Sequence, residues 1–553
     1  MIHFFDISVA VVLLGAISFI GVYKARQSST NGNQKPLGVI SVALSVCSGY
    51  LSAVSLLGFP SEVYFRGAML YWYGIMYCIA FPIIAYVFLP ILYDEKYSNV
   101  YHYLEFRFSF YSRFIASISF IIMTVIYMSI ALYAPALALS SILDIPLLVT
   151  IITTAVFASF YLYSGGLKAG ILTSALQMIL ILLSFLAIVM ASLYQYGLTD
   201  IYNSVVEDRR LYLVDFRMDP RIRHSAPALI IGGTFLMISL FATNQLSVQR
   251  YTAMRSLQKA QHVVLLNIPI NFAILTMYVI VGLIMYGVYD QDCQPDIKKQ
   301  DQIFPTFVLH KLSWIPGMVG LFVAAIYSAG ISTLTASYNA LSEVLIEDII
   351  SVWYRKYHSS KALNLDLRSK LSHTLPIGLA LISILFAYCI NHMDTMILEI
   401  SFSIFGASGG IIVGVYFIGM FCPWIKSPIS ALFAQLCSIY FILFLVIMNI
   451  YYKNKPFNLP LSNMCSLNGS SFLNHPLYEY HDVMPSPVST GVLHWLSQIS
   501  YQYYTLVGVL VTFVVANALE TFIRLENLIT RYQQKTTAIR RDETFEMIST
   551  MLP

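Results

Sequence analysis

The stretch SVCSGYLSAVSLLGFPSEVYFRG, from Ser45 to Gly67, decides the fold of this chain. Although the segment is apolar overall, three of its serines compete with the helix backbone for hydrogen bonds. Gly49 weakens a helix here, and Gly58 and Pro60 are expected to end it. A helix that is broken within lipid leaves backbone carbonyl groups without their usual partners. Those groups become available to a ligand.

The composition places the rest of the chain in a membrane. Of the 553 residues, 58% are hydrophobic and only 11% are charged, whereas a soluble domain has about 25% charged residues. Apolar runs of roughly 20 residues recur along the chain, and each can cross a hydrocarbon core about 30 Å thick. We therefore predict an all-α polytopic protein whose surroundings are the lipid bilayer. The net charge of +4 gives no indication of nucleic-acid binding.

Thirteen candidate membrane helices follow from these runs, with starts near residues 5, 38, 70, 113, 146, 168, 228, 261, 315, 373, 394, 427 and 503. Lysine and arginine collect in the loops at 24–35, 250–259 and 355–370 and in the tail from Arg524. The positive-inside rule makes that face cytoplasmic. The amino terminus is then outside and the carboxyl terminus inside, in a multi-pass protein that we expect in the plasma membrane.

The order of the spans predicts a single membrane domain over residues 1–553. Gly232 and Gly233, in IIGGTF, form a second candidate break five spans after the first. Two interrupted helices in corresponding positions indicate an inverted-repeat transporter with its site at mid-membrane. The predicted parts are a first span (5–24), a first repeat (38–196), a second repeat (228–421), extra helices (427–523) and a cytoplasmic tail (524–553).

The long loop before the last span is predicted to lie outside the cell. It contains the sequon Asn468-Gly-Ser, so Asn468 is a candidate glycosylation site. Cys293 and Cys465 also fall on the outside, where a disulfide bond between them could form.

Hydroxyl groups are concentrated in AAIYSAGISTLTAS, from Ala324 to Ser337. Residues three and four positions apart share one face of a helix, so Ala329, Ser332 and Thr333 form one patch. Two hydroxyls on that patch can supply oxygen ligands to a sodium ion without adding a fixed charge. Close packing between helices is the alternative explanation, because small and hydroxyl residues also allow helices to approach in lipid.

Several blocks resemble the sodium/solute symporter family, and in particular its branch of sodium-coupled monocarboxylate, multivitamin and iodide transporters. These blocks are YLSAVSLLGFPSEVY (50–64), YHYLEFRF (101–108), YAPALAL (133–139), GGLKAGILT (165–173), DPRIRHS (219–225), NQLSVQRY (244–251) and SIFGASGG (403–410). The resemblance implies a LeuT-type core of five plus five helices. It also implies that Na⁺ is the co-transported ion.

The resemblance implies two neighbouring sites as well. Its sodium ligands would be the backbone carbonyls of Ser48, Leu51 and Ala329 and the hydroxyls of Ser332 and Thr333. The expected substrate-binding residues beside that sodium are Tyr50, Ser52, Tyr133, Thr234 and Ser408. Tyr133 could instead cap a kink at Pro135, and Thr234 could instead bond to carbonyls freed by the glycine pair.

Two positions depart from the family pattern. Ser174 stands where relatives usually carry an aspartate, and Ala336 stands where they carry a serine. Both changes remove oxygen or charge from one region, so we expect altered coupling with one sodium ion per solute. The alternative is that coupling is unchanged.

The predicted function is sodium-coupled symport of a small organic anion, in the first place a monocarboxylate, by alternating access. No lysine or arginine is expected in the middle of a core span, so the carboxylate would depend on hydroxyls and on the positive end of a half-helix. A vitamin, iodide or another solute, and a non-transporting solute sensor on the same fold, are the alternatives. No hydrolase, metalloprotease or nucleotide-binding motif indicates an enzyme.

Charged residues near the ends of the spans are predicted to contact water or to anchor loops. Glu399 is expected to reach interfacial water at the outer end of the eleventh span; the alternatives are that it tunes cation entry or binds a proton. Glu343, Glu347 and Asp348 are expected to form a solvated inner helix end. Arg221, Arg223 and His224 are expected to anchor an outer loop.

Overall fold

The computed structural model describes residues 4–30, 38–93, 99–291, 297–357, 363–393, 395–452, 458–459 and 491–551. Every regular element within these residues is a helix, which confirms the all-α fold class. The α-helices are Phe4–Thr30, Val39–Tyr50, Ala53–Arg66, Tyr73–Ile83, Leu89–Leu92, His102–Arg107, Phe110–Leu143, Leu147–Tyr196, Leu198–Glu207, Gly233–Phe241, Gln245–Thr252, Leu257–Gln291, Ile303–Lys311, Met318–Val344, Ser351–Tyr357, Leu365–Ile390, Ile397–Phe421, Pro428–Tyr451, Val492–Ser497 and Tyr504–Met551. The π-helical segments are Ile84–Phe88, Ala228–Gly232 and Leu345–Ile350, and the 3₁₀ turns are Ala68–Trp72, Gln300–Gln302 and Tyr501–Tyr503.

The described part of the chain contains nine helices long and apolar enough to cross a membrane, or up to eleven if each of two bent pairs is one span. This confirms a multi-pass membrane protein. Two shorter apolar helices, Phe4–Ile17 and Leu147–Ser159, lie where the sequence predicts the first and fifth spans. The count of thirteen depends on these two short helices and remains a prediction.

The fifth and sixth predicted spans belong to one α-helix of 50 residues, Leu147–Tyr196. At about 1.5 Å per residue it is roughly 75 Å long, more than twice the thickness of the hydrocarbon core. The two predicted spans are therefore joined in one helical element, and their separate crossings remain a prediction.

The first broken span is formed by Val39–Tyr50 and Ala53–Arg66, whose axes differ by 66°. The N–H of Ser52 donates to the carbonyl of Tyr50 at 2.8 Å. In a regular helix this N–H would donate to the carbonyl of Ser48, four residues earlier. The break therefore removes from the Ser48 carbonyl the donor that a continuous helix would provide.

The second half of this span is capped where it begins and is not ended by its glycine and proline. The Ser52 hydroxyl accepts from the N–H of Val54 at 3.2 Å, as an N-cap residue does. The helix continues past Gly58 and Pro60 to Arg66, so the expectation that these two residues end it is wrong. Gly58 instead allows close packing, because a Cβ there would lie 2.7 Å from the Cβ of Leu398.

The second broken span is formed by Ala228–Phe241 and Gln245–Thr252, which differ in direction by 60°. Its break lies at residues 242–244 and not at Gly232-Gly233. Asn244 begins the second half, since its side chain accepts from the N–H of Leu246 at 2.9 Å. The sequence therefore predicts a broken span here but places the break about ten residues too early.

The glycine pair permits close packing instead of a break. A Cβ on Gly232 would lie 2.6 Å from the carbonyl oxygen of Gln502. A Cβ on Gly233 would lie 2.6 Å from the sulfur of Met76. The helix passes between these two neighbours because it carries no side chain at either position.

Met318–Val344, which we call the hydroxyl helix, lies in the centre of the bundle. It packs against the helices Phe4–Thr30, Phe110–Leu143 and Leu147–Tyr196. It belongs to the most deeply buried of the candidate spans. Side chains on it are therefore shielded from lipid on nearly every face.

The acidic end of this span is only partly solvated, which corrects the sequence prediction. Asp348 is 2% exposed, and it accepts hydrogen bonds from Arg113, from Ser117 and, at 2.7 Å, from Asn99. Glu347 pairs with Arg368 at 2.6 Å, and Glu343 accepts from Gln245 at 3.2 Å. A buried carboxylate is tolerated here because several donors surround it.

Two predictions concern residues outside the described ranges. Asn468, Cys293 and Cys465 all lie there, so the structure gives no support to the disulfide bond. The described cysteines Cys47, Cys78, Cys389, Cys422 and Cys437 are free thiols. Glycosylation of Asn468 stays a prediction.

We expect Asp348→Asn to destabilise the protein strongly, because the buried Arg113 guanidinium would lose its buried charge partner and keep only the more exposed Glu105. Breaking a buried ion pair typically costs about 3–5 kcal/mol. The measurement is the thermal unfolding midpoint of the full-length protein in detergent. Asp366→Asn is the matched control, since the Asp366–Lys370 pair is 70% exposed on both sides. An equal midpoint for both variants would contradict the prediction.

Candidate functional site

Three hydroxyl groups from three elements meet in the centre of the bundle. The Ser48 and Ser332 hydroxyl oxygens lie 2.8 Å apart, and Ser332 donates to the hydroxyl of Ser174 at 2.9 Å. Ser48 comes from the first broken span, Ser332 from the hydroxyl helix and Ser174 from Leu147–Tyr196. All three side chains are buried. The structure thus joins the break of the first span to the hydroxyl patch.

The same patch contains a hydroxyl group without a hydrogen-bond partner. Thr333 is fully buried, and its Oγ1 has no partner among the described residues. Ala329, one turn earlier on the same face, is also fully buried. A buried polar atom without a partner costs about 1–3 kcal/mol, so it requires an explanation.

This donor set suits a hard monovalent cation. It presents hydroxyl oxygens and, at Ser48, a carbonyl oxygen that has lost its helical donor, and hard cations prefer oxygen ligands. The described residues contain no group of three or more His, Cys, Asp or Glu side chains that could hold a metal ion. A transition-metal or multivalent site is therefore not indicated in this part of the chain.

A cavity of about 60 Å³ opens beside the break of the first span. Its lining includes eight aromatic side chains, namely Tyr50, Phe59, Tyr77, Tyr127, Phe241, Tyr278, Phe402 and Phe405. The polar lining residues other than tyrosine are Ser52, Ser55, Asn271 and Ser401. Leu51, one of the expected sodium ligands, also lines it. The cavity and the hydroxyl patch therefore share the broken segment of one helix.

Two of the five predicted substrate-binding residues, Tyr50 and Ser52, line this cavity, and three do not. Thr234 donates to the carbonyl of Ile230 at 2.6 Å, and Ser408 donates to that of Ile404 at 3.2 Å. Both hydroxyls thus satisfy carbonyls of their own helices. The alternative explanation considered for Thr234 fits this arrangement.

Tyr133 is placed away from the cavity as well. Its hydroxyl donates to Asn391 at 3.4 Å, and the ammonium group of Lys299 lies 5.5 Å from its ring centre. The expectation that all five residues line one cavity is therefore not met for Tyr133, Thr234 and Ser408.

Several lining residues, including Tyr127, Tyr278 and Asn271, were not predicted from the sequence. Asn271 donates to the carbonyl of Asn267 at 2.7 Å and accepts from the thiol of Cys47. Two amides four residues apart in an apolar helix were the available signal, because polar side chains within a membrane usually face a site. The tyrosines offered no comparable signal in a chain with 39 of them.

Four charged side chains lie one turn beyond the cavity, on the side predicted to be extracellular. Arg223 pairs with Glu399 at 2.6 Å and with Glu62 at 2.9 Å, and Glu62 also pairs with Arg66. Glu399 is only 17% exposed, so the prediction that it reaches interfacial water is wrong. We call Glu62, Arg66, Arg223 and Glu399 the outer charge cluster.

The outer charge cluster connects separate elements above the cavity. Glu62 follows the lining residue Phe59 by three positions, and Glu399 adjoins the lining residue Leu398. Arg223 lies in the segment that precedes the second broken span, and its guanidinium lies 4.9 Å from the ring centre of Tyr501. Arg223 therefore does more than anchor an outer loop, because it joins Glu62 and Glu399 through two ion pairs.

Asp301 connects a loop to the same end of the bundle through a hydrogen bond. Its carboxylate accepts from the N–H of Ile397 at 3.1 Å, at the start of the helix that carries Glu399. Burial raises the pKa of Asp301 to about 7. This carboxyl group therefore changes its charge near neutral pH.

The expectation that no cation approaches the middle of the core is wrong for Arg250. The sequence places it in a basic cytoplasmic loop, whereas it lies in the inner half of the second broken span and is 3% exposed. Its guanidinium donates to the carbonyl of Ser45 in the first broken span.

Comparison with known proteins gives this arrangement a context. A sequence model described as the Sodium:solute symporter family matches residues 32–435. Sodium-coupled monocarboxylate transporter 1 of Homo sapiens is 33% identical over 542 residues, covering 93% of this chain and 86% of that protein. The sodium-dependent multivitamin transporter of Oryctolagus cuniculus is 33% identical over 396 residues, covering 71% of this chain and 61% of that protein.

A solved structure confirms the LeuT-type fold. The substrate-bound outward-open state of a Na⁺-coupled sialic acid symporter has a TM-score of 0.74 with 20% sequence identity. The match covers 94% of this chain and 98% of that chain. At this identity the likeness concerns the fold and not the solute.

We expect Thr333→Ala to raise the sodium concentration for half-maximal uptake several-fold, because it removes a buried oxygen from the patch. Surface expression should be unchanged, since Thr333 Oγ1 has no partner to lose among the described residues. The measurement is solute uptake as a function of external sodium. Thr276→Ala is the control, because that hydroxyl bonds only to its own helix, at Phe272. Identical sodium dependence in both variants would contradict the prediction.

We expect Glu399→Gln to expose the cavity more often to the side predicted to be extracellular, because Arg223 would keep its ion pair with Glu62 but lose the one with Glu399. The measurement is labelling of Ser401→Cys, a lining position, by an impermeant thiol reagent added outside. Labelling should accelerate in the Glu399→Gln background. The control is Glu207→Gln, an exposed carboxylate in Leu198–Glu207. An unchanged labelling rate would show that the outer charge cluster does not hold this end closed.

Proposed function

We propose that the solute carried with sodium is a small monocarboxylate. The chain belongs to the sodium:solute symporter family. Sodium-coupled symport, with sodium as the co-transported ion, follows from the family and from the sodium-coupled relatives. These relatives are transporters, and the chain is accordingly a transporter and not an enzyme.

The observation that carries the proposal is the position of a half-helix N-terminus at the cavity. Ser52 is the N-cap of Ala53–Arg66, and Ser52, Val54 and Ser55 all line the cavity. Backbone N–H groups in the first turn of a helix carry partial positive charge and bind anions. A carboxylate at this helix end would be neutralised without a lysine or arginine in the cavity wall.

The size of the cavity favours a short solute. About 60 Å³ provides room for roughly four to six water-sized groups, because one water needs about 10–15 Å³ by this measure. A monocarboxylate of three or four carbons has a similar number of non-hydrogen atoms. A vitamin with a fused ring system would require the aromatic wall to move.

The proposed sodium ligands are those that the resemblance implies. They are the carbonyls of Ser48, Leu51 and Ala329 and the hydroxyls of Ser332 and Thr333. The contact between Ser48 and Ser332, the unpartnered Thr333 hydroxyl and the position of Leu51 at the cavity support this set. Tyr50 and Ser52 are the proposed solute contacts, and the proposal no longer includes Tyr133, Thr234 or Ser408.

The proposed stoichiometry is one sodium ion per monocarboxylate. Ser174 lies in hydrogen-bond contact with Ser332, so an aspartate at this position would place a carboxylate beside the patch. The serine keeps the patch neutral, and Ala336, on the same helix face, contributes no hydroxyl. One Na⁺ and one carboxylate carry no net charge together, so transport would be electroneutral.

The proposed setting is the plasma membrane, with the amino terminus outside and the carboxyl terminus inside. Lysine and arginine in the predicted inner loops support this orientation. The outer charge cluster and Asp348 then lie toward opposite membrane faces.

The test is accumulation of labelled pyruvate, lactate and butyrate in sodium compared with choline buffer. We expect accumulation of at least one of them in sodium only, because the carboxylate site and the sodium site share one broken segment. Tyr50→Phe, which removes a lining hydroxyl, should weaken uptake. Equal accumulation in both buffers would overturn sodium coupling, and sodium-dependent uptake of only neutral solutes would overturn the solute class.

Voltage clamp tests the stoichiometry separately. Saturating solute should evoke no appreciable inward current in the natural protein, whereas Ser174→Asp should introduce charge movement or a steeper sodium dependence. A sizeable current in the unaltered protein would refute one-to-one coupling. A solute sensor is the second candidate, which Ser174 favours, and it would bind a solute without accumulating it.

A further inference from the structure

The two broken spans hold each other through side chains that donate to backbone carbonyls in both directions. The hydroxyl of Tyr50, in the first broken span, donates to the carbonyl of Leu240 in the second. The guanidinium of Arg250, in the second broken span, donates to the carbonyl of Ser45 in the first. We call these four residues the reciprocal clasp.

One hydrogen bond of the reciprocal clasp lies at the cavity, and the other lies one helical turn before the hydroxyl patch. Tyr50 and Leu240 both line the cavity. Ser45 lies one turn before Ser48, on the same half-helix, Val39–Tyr50. The reciprocal clasp therefore connects the solute side of the break with its sodium side.

Arg250 lies so close to this half-helix that a larger residue at position 49 would require its guanidinium to move. A Cβ on Gly49 would lie 2.5 Å from Nη1 of Arg250 and 3.0 Å from its Cζ. No unstrained contact is that short. The guanidinium is therefore packed directly against the backbone next to Ser48.

Arg250 differs in its charge balance from three other buried arginines. Arg66, Arg113 and Arg223 are paired with the carboxylates of Glu62, Asp348 and Glu399, respectively. No carboxylate pairs with Arg250 among the described residues. Its guanidinium donates instead to the carbonyl of Ser45, in the C-terminal half of Val39–Tyr50, where the helix dipole favours a cation. Moving the half-helix would remove that stabilisation.

We propose that Arg250 is a positioning residue for sodium binding, which acts through the half-helix Val39–Tyr50 and not by contact with the ion. It fixes the end of the half-helix from which the Ser48 and Leu51 carbonyls reach the ion. The inference rests on the sodium ligand set proposed above. Because a neighbouring positive charge repels Na⁺, a favourable effect of Arg250 on sodium must come from geometry.

The experiment measures binding of radioactive sodium alone to the purified full-length protein in lipid nanodiscs, without any solute. We expect Arg250→Met to raise the sodium dissociation constant about tenfold or more. Arg250→Lys keeps a donor and the charge, so it should restore part of the affinity. Loss of packing alone would change the amount of folded protein but not the sodium affinity of the folded fraction.

Gly49→Ala tests the same contact from the other side and covers the case in which Arg250→Met does not fold. Its methyl group would displace the guanidinium, so sodium affinity should fall in the same direction. In the double variant the two effects should not add, because both remove one contact. Gly378→Ala, where a Cβ meets nothing within 4 Å, and Arg255→Met, at an exposed arginine, are the controls.

The outcomes separate this inference from the proposed function. If the unaltered protein binds no sodium, the sodium ligand set itself is wrong. If it binds sodium but all Arg250 and Gly49 variants bind within twofold of it, Arg250 is not a positioning residue. Tighter binding by Arg250→Met would also overturn the inference, because repulsion between the charges would then dominate.

Discussion

One hydrogen bond that is missing from a helix organises this structure. Ser52 donates to Tyr50 and not to Ser48, so the first broken span turns by 66° in the middle of the bundle. Within lipid such a break is tolerated only where side chains or a cavity satisfy the freed groups. The Ser52 cap satisfies one donor, and the freed Ser48 carbonyl remains next to the hydroxyl of Ser332. The cavity and the hydroxyl patch both lie at this break.

Charge is distributed around that break in a consistent way. Formal charges gather toward the two ends of the core, in the outer charge cluster and around Asp348. The cavity wall and the hydroxyl patch between them are neutral, and Arg250 is the nearby exception. A neutral centre can release a cation readily, whereas a carboxylate there would hold it more strongly. Ion pairs at the ends can form and break as the two sides alternate, without placing charge in the pathway.

Several local predictions were wrong for a shared reason. Gly58, Gly232 and Gly233 suggest helix ends, but each instead allows a neighbouring chain to approach. Glu399 and Asp348 suggest solvated ends because their ion partners are distant in sequence. A propensity describes the cost of a residue in an isolated helix, and tertiary packing changes the sign of that cost.

The sequence by itself determined that the chain is an all-helical membrane transporter with two broken spans and a hydroxyl-rich central helix. Hydrophobic run length, local competition for the backbone and helical spacing are local properties, so they can be recognised without coordinates. Only the tertiary structure decided where the second break lies, which residues line the cavity, and that Arg250 contacts the first broken span. These depend on contacts between residues that are far apart in the chain, such as Arg250 with Ser45 at 205 positions and Ser48 with Ser332 at 284, and no local pattern encodes such contacts.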